Sequence, residues 1–146
     1  MRHPLHPALV HFPIACWSLA TAADLASLVW GEPAWRFAGM LLVAGIGFSI
    51  PAMLAGFIEL ARIANDSPAI KDANRHMIAV MNSLAFYTAS LFLRLQGTTL
   101  TRPGPLAIAL SVVGFLSLCV AGWLGGKLVY RHRIGVSRLP PEQADT

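Results

Sequence analysis

Hydrophobic residues occur in four runs of about 20 residues, the helix length that crosses a hydrocarbon core of about 30 Å. The runs cover residues 8–30, 34–60, 77–95 and 105–126. Short polar breaks containing glycine, proline or charged residues separate them. Because short loops join antiparallel neighbours, the pattern predicts an all-α fold: a four-transmembrane-helix up-and-down bundle with both termini on the same side. We expect residues 1–146 to form a single integral membrane domain with a flexible polar tail at 137–146, and no internal repeat stands out.

Composition makes lipid the expected solvent for most of the chain. Hydrophobic residues make up 55% and charged residues 12%, with a mean hydropathy of +0.60, whereas soluble domains carry about 25% charged residues. The net charge of +4 comes from 11 basic residues that flank the apolar runs, so nucleic-acid binding is not expected. The run after Arg2 imitates a cleavable signal but continues to Trp30, so we expect the first helix to be retained.

Basic residues are also unequally distributed between the two predicted sides. Eight of them fall on the side that holds the termini and three on the other. Since basic residues concentrate in cytoplasmic loops, we predict a multi-pass membrane protein with cytoplasmic N and C termini.

One face of the third predicted helix is polar. Six residues recur at spacings of three and four and so share this face: His76, Val80, Ser83, Tyr87, Ser90 and Arg94. We expect the face to point into the bundle, where it forms interhelical hydrogen bonds or a polar pocket. Asp24, Asn82 and Tyr87 form a candidate intramembrane polar or proton site, although Asp24 can simply pair with Arg36 or Arg94.

Small residues predict which helices approach closely. The second helix contains Ala52 and Gly56, and the fourth contains Ser117, Ala121 and Gly125 in register. We therefore expect the second and fourth helices to pack tightly. Such motifs also occur between copies of a chain, so a homo-oligomer remains open.

All five histidines are predicted at the end of the bundle that holds the termini, with Glu59 at a similar depth. Neutral imidazoles bind haem iron and transition metals, and a haem b between helices needs two histidines at matched depth. The leading hypothesis is a haem b held by His11 and His76, with Arg75 and Arg131 near its propionates.

A different ligand set is also compatible with these residues. The alternative is a single transition-metal ion bound by His11, His76, Glu59 and His6, and a third interpretation has no cofactor and purely structural histidines. The chain contains no CxxCH or HExxH signature. Sequence spacing therefore leaves all three interpretations open.

The N-terminal segment carries a family motif. It reads His3-Pro4-Leu5-His6-Pro7-Ala8-Leu9-Val10-His11-Phe12-Pro13-Ile14-Ala15. This segment resembles the HPxxVHFPIA opening of a bacterial membrane-protein family called domain of unknown function 2231. Further matches follow along most of the chain: Asp24-Leu25, His76 followed by Asn82, Gly125 to Tyr130, and Gly135-Val136. Where relatives often have Gly-Leu-x-Asp, this chain has Gly56-Phe57-Ile58-Glu59.

The resemblance implies a small four-helix integral protein of the bacterial inner (plasma) membrane. Because the family's domain is sometimes joined to Rieske-type iron–sulfur modules, it also implies membrane electron transfer, although the two cysteines of this chain cannot supply a cluster site. The leading hypothesis is a redox or electron-transfer module that works with a redox protein or a quinone. Its alternatives are a non-catalytic membrane subunit or assembly factor, and a proton-coupled transporter that uses Asp24 and Glu59. Whether the protein is an enzyme stays open.

Overall fold

The computed structural model describes residues 5–134, which form four long helices, one short helix and a small β-hairpin. The elements in order are α1 (Leu5–Leu9), α2 (His11–Trp30), α3 (Glu32–Leu60), α4 (Ile70–Phe92), β1 (Leu95–Gln96), β2 (Thr99–Leu100) and α5 (Pro105–Tyr130). The chain is mostly helical, as predicted. The predicted polar tail at 137–146 lies outside the described residues.

Three segments are long and apolar enough to cross a membrane: His6–Trp30, Glu32–Leu60 and Pro105–Tyr130. Helix α4 is less apolar because one of its faces carries polar residues. It also begins at Ile70, seven residues before the predicted start at Met77, since the polar segment that contains Asp72 continues the same helix.

The first predicted helix is divided into α1 and α2 at Val10. Pro13 has no amide hydrogen to donate to the carbonyl of Leu9, so the regular hydrogen-bond ladder is interrupted here. The backbone amide of Val10 still bonds the carbonyl of His6 at 3.0 Å. As a result α1 stays attached to α2 and carries His6 into the bundle.

The four long helices form a square bundle. Helix α2 packs along α3 and α4 along α5, while α2 also contacts α5 and α3 contacts α4. Helices α3 and α5 are therefore diagonal neighbours, and the predicted tight packing between them is wrong. Their small residues instead admit other elements: Ala52 bonds His6 of α1, and Ala121 bonds His76 of α4.

The hairpins α2–α3 and α4–α5 repeat one arrangement. Three pairs of residues 70 positions apart contact each other across the bundle: His6 with His76, Trp17 with Tyr87, and Asp24 with Arg94. In the second helix of each helical hairpin, residues 69 positions apart contact the aromatic and histidine side chains of these pairs: Gly45 and Gly114, Ala52 and Ala121, Gly56 and Gly125. Equivalent residues that touch must lie on the axis relating the halves, so the bundle has a pseudo-two-fold axis through the three pairs.

The contacts therefore reveal an internal repeat that does not stand out in the sequence. Several of the equivalent residues are identical, among them His6 and His76, Gly45 and Gly114, and Gly56 and Gly125. The repeat is clearest in the contacts because each half preserves the same side-chain packing even where the residue types differ.

The centre of the bundle is built around the second of the three pairs. The rings of Trp17 and Tyr87 stack with their centroids 5.0 Å apart, and Leu42 and Leu118 complete the cluster. A Cβ atom added at Gly45 would lie 2.5 Å from the Trp17 ring. Only glycine at this position lets α3 approach the indole so closely.

The β-hairpin closes the end of the bundle opposite the histidines. Gly97 adopts a φ of 62°, which permits the tight turn between β1 and β2. The Leu100 side chain packs against Gly39 of α3. The backbone amide of Thr101 also donates to the carbonyl oxygen of Arg94 at 2.8 Å. This bond attaches the β-hairpin to the end of α4, next to the buried Arg94 side chain.

Candidate functional site

His6 and His76 lie side by side at the end of the bundle formed by α1 and the start of α4. Their ring centroids are 6.3 Å apart and their planes nearly perpendicular, at 84°. The Nδ1 of His6 is 2.8 Å from the carbonyl oxygen of Ala52, and the Nδ1 of His76 is 2.9 Å from that of Ala121. A carbonyl oxygen only accepts, so each Nδ1 carries the proton and each Nε2 carries a lone pair.

Each imidazole packs against a glycine one turn beyond the carbonyl that it bonds. A Cβ atom at Gly56 would lie 3.0 Å from the His6 ring, and one at Gly125 would lie 3.2 Å from Cε1 of His76. The same two contacts, a hydrogen bond to alanine and a glycine under the ring, therefore fix both histidines. Metal-ligating histidines are usually fixed in this way, because a bond from one ring nitrogen orients the other.

The two rings are arranged edge to face. Their centroid separation of 6.3 Å lies in the range of about 4.5–7 Å that ordinary aromatic pairs adopt. Two imidazoles bound to one metal would have a similar separation, about 6 Å, so this distance agrees with both arrangements.

The other predicted ligands lie elsewhere. His11 begins α2 with an exposed side chain whose Nδ1 faces the carbonyl oxygen of Ala8 at 3.4 Å. Glu59 is half-buried near the end of α3. Within residues 5–134, no three His, Cys, Asp or Glu side chains come close enough together to hold a metal ion. The structure thus brings together His6 and His76 from the predicted set, without a carboxylate.

The two predicted propionate partners are exposed. Arg75 directly precedes His76 in α4, and its side chain is 4.0 Å from Asp72. Arg131 follows the last residue of α5. Both cations therefore flank the helix ends nearest to His76.

A cluster around Asp72 joins α4 to the end of α5. Lys127 and His132 each donate a hydrogen bond to the Asp72 carboxylate, at 2.9–3.0 Å. These two bonds lower the pKa of Asp72 below its ordinary value. No local sequence signal indicates that His132 binds this carboxylate, because its partner lies 60 positions away.

The candidate intramembrane site is divided between two places. Asp24 is fully buried and forms a bidentate ion pair with Arg94, with N–O distances of 2.7 and 2.9 Å. This pairing was one of the two predicted for Asp24. The guanidinium also donates to the hydroxyl of Ser90 at 2.8 Å, so both charges are satisfied inside the bundle.

Hydroxyl groups extend this cluster towards the centre of the bundle. Ser90 bonds the hydroxyl of Ser111 at 2.8 Å, and Thr21 bonds both the carbonyl of Ser111 and the hydroxyl of Tyr87. Tyr87 also donates to the carbonyl oxygen of Trp17 at 3.1 Å. The polar face of α4 therefore points inwards, as predicted, and forms interhelical hydrogen bonds along this stretch.

Asn82, the third residue of that candidate site, lies on a different face of α4. Its side chain is exposed and lines a groove between α4 and α5. It does not join Asp24 and Tyr87.

Comparison with known proteins gives one family. The sequence pattern of the family described as "Predicted membrane protein (DUF2231)" matches residues 2–138. Searches among curated proteins and among solved structures give no match.

Proposed function

Because the chain belongs to the predicted membrane protein family DUF2231, we propose that it is a multi-pass protein of the bacterial inner membrane in which all four long helices cross the bilayer. Support for including α4 comes from its outward face, where the exposed residues Ile78, Met81, Ala85 and Phe92 are apolar or small. The excess of basic residues supports cytoplasmic N and C termini. Residues 1–146 then form one membrane domain.

In this proposal the protein is a redox or electron-transfer module that holds haem b between His6 and His76. The observation that carries it is the matched support of the two imidazoles: each Nδ1 is bonded to a helix carbonyl, and each Nε2 has no hydrogen-bond partner among residues 5–134. Relative to the sequence hypothesis, His6 replaces His11 as the partner of His76.

The donor set favours haem over a single metal ion. Transition-metal sites built from protein side chains usually need three or four ligands, whereas haem needs only axial ligands from the protein. Two histidines without a third donor in the described part of the chain fit the second case. When bound, haem iron supplies one-electron transfer, and Arg75 and Arg131, which flank the helix ends nearest to His76, would bind its propionates. The electron partner is a quinone or a redox protein.

A visible spectrum of the detergent-purified protein, oxidised and then reduced with dithionite, tests the proposal. Cells supplied with haem and iron are used, and elemental analysis is made on the same sample. We expect a sharp reduced haem b band that carbon monoxide does not change, because His6 and His76 would both hold the iron. The band is expected to be lost in His76→Ala and retained in His132→Ala, whose ring bonds Asp72 instead. A featureless spectrum without metal would contradict the proposal.

One observation favours a second function. The hydrogen bonds of His6 and His76 tie α1 to α3 and α4 to α5, so both histidines have a structural use without any cofactor. A non-catalytic membrane subunit or assembly factor would need no more than this. It predicts that the histidine variants lose stability and that the wild-type protein is colourless.

The third hypothesis, a proton-coupled transporter, has less support. The carboxylate of Asp24 is held in the ion pair with Arg94, so using it as a proton carrier requires the pair to break. Proton-dependent flux in liposomes that is lost in Asp24→Asn would favour this function.

A further inference from the structure

A groove of about 460 Å³ runs between α4 and α5 on the outside of the bundle. Charged residues line its mouth, at the end of the bundle that holds the histidine pair: Asp72, Arg75 and Lys127. Apolar side chains form its walls, among them Ile78, Val120 and Trp123. Asn82 and Ser117 also line the groove; the Ser117 hydroxyl already donates to the carbonyl oxygen of Ala79 at 3.0 Å. Sites for small molecules have this composition, with an apolar lining and a few polar groups that orient the ligand.

The pseudo-two-fold axis provides a comparison within the same chain. The positions equivalent to Asn82 and Ser117 in the other half are Phe12 and Phe48, at offsets of 70 and 69 residues. The rings of Phe12 and Phe48 pack together with their centroids 5.2 Å apart. The α2–α3 hairpin thus carries two contacting aromatic rings where the α4–α5 hairpin carries an amide and a hydroxyl in an open groove.

The side-chain amide of Asn82 is the group in this groove that a ligand would bind. Asn82 lies ten residues beyond Asp72, which is about 15 Å farther along the helix. Its side chain is exposed, and no residue in the range 5–134 forms a hydrogen bond with it. A polar group without a partner is unfavourable at this depth in a bilayer. With the charged mouth at the level of the phospholipid headgroups, Asn82 would lie in the hydrocarbon region, beyond the phosphate and ester groups.

We propose that the groove binds the ring of a membrane quinone, with the Asn82 amide donating a hydrogen bond to a quinone carbonyl. A quinone combines the properties that the groove selects: it is uncharged, it dissolves in the hydrocarbon core, and its ring is flat with carbonyl acceptors. The exposed Trp123 side chain lines the groove with the Lys127 Nζ 5.8 Å from its ring centroid, so the quinone ring would stack on the other face of the indole. The open side of the groove lets the isoprenoid chain pass into the lipid.

The ligand class follows from the redox function proposed above and rests on it. Asn82 lies six residues after His76 on the same helix, about 9 Å along its axis. A quinone in the groove would therefore lie beside the helix that carries one of the two histidines. The quinone bound in the groove would be the electron partner of the redox site.

Titration of the purified full-length protein with decylubiquinone, followed by quenching of tryptophan fluorescence, tests the proposal. We expect saturable quenching that is largely lost in Trp123→Phe. Asn82→Leu should weaken binding by about tenfold, the effect of losing one hydrogen bond in an apolar site, and Asn82→Gln should restore part of the affinity. Asn74→Leu is the matched control: it makes the same exchange at an exposed position of α4 that does not line the groove, and its affinity should equal that of the wild type.

Three results would overturn the proposal. One is equal affinity in Asn82→Leu and the wild type. Another is displacement of the quinone by phosphatidylglycerol at equal concentration, which would make the groove a phospholipid site. The last is a change from dimer to monomer in Asn82→Leu on size exclusion, which would make it an interface between copies. Haem content is measured in the same samples: its absence contradicts the redox function, whereas haem without saturable quenching contradicts only the quinone site.

Discussion

The buried ion pair offers a direct test of the pseudo-two-fold packing, because its two residues occupy equivalent positions in the two halves. Exchanging the charges, with Asp24→Arg and Arg94→Asp together, should rebuild the pair across the axis. Each single substitution instead leaves two like charges facing each other at a site where both side chains are fully buried.

The expected free energies follow from the contacts. An uncompensated charge at a buried pair destabilises a protein by about 3–5 kcal/mol, so each single variant should lose at least this much. The double variant should recover most, but not all, of the free energy of unfolding that each single variant loses. The guanidinium now bonds the hydroxyl of Ser90, and the equivalent residue in the other half, Ala20, has no hydroxyl. One hydrogen bond to a charged group, about 1.5–3 kcal/mol, therefore stays lost in the double variant.

Unfolding in mixed micelles, followed by tryptophan fluorescence, gives the free energy of unfolding of all four proteins of the cycle. The control exchanges the exposed pair Glu32 and Arg36, where each variant should change stability by less than about 1 kcal/mol. If the double variant is no more stable than the worse single variant, the two positions are not equivalent and the reasoning is refuted.

Three further predictions concern single positions. Gly45→Ala should destabilise the bundle by about 1–3 kcal/mol, measured in the same micelles, because the new Cβ would lie 2.5 Å from an indole ring. Gly125→Ala should lower the amount of haem retained through size exclusion by displacing the His76 ring, whereas Gly122→Ala, with nothing within 4 Å of its Cβ, should retain the wild-type amount. Asp72→Asn should lower the unfolding temperature at neutral pH. Because the pKa of Asp72 is lowered in the folded protein, its stabilisation is present above pH of about 4 and is lost as the pH falls through the folded pKa, so the difference from the wild type should shrink there.

The parts of the fold that were predicted correctly depend on local periodicity. The spacing of Ser83, Tyr87, Ser90 and Arg94 indicated one inward face, and all four are buried. Hydropathy located the apolar runs but not the start of α4, because Asp72 lies in a helical segment that continues beyond the apolar part. Which helices are neighbours in the bundle, and which side chain a buried residue contacts, depend on tertiary contacts that such local patterns do not contain.

The pairing of His6 with His76 was not part of the leading hypothesis for a related reason. His6 precedes the first apolar run and His11 lies deeper, so the haem hypothesis paired His76 with His11, and His6 entered only the alternative metal site. The signal that identifies His6 is its separation of 70 residues from His76, the same as that between Trp17 and Tyr87. This repeat is hard to see in the sequence because two of the three contacting pairs, Trp17 with Tyr87 and Asp24 with Arg94, consist of different residues.

The central claim, that His6 and His76 form the binding site, is tested most directly by the haem-to-protein ratio of His6→Ala and His11→Ala. Both are purified from cells supplied with haem, and their folding is checked by circular dichroism and size exclusion. The account predicts that His6→Ala loses the haem while His11→Ala, whose exposed ring faces the carbonyl oxygen of Ala8 at 3.4 Å, keeps the wild-type ratio. Loss in His11→Ala with retention in His6→Ala would contradict it.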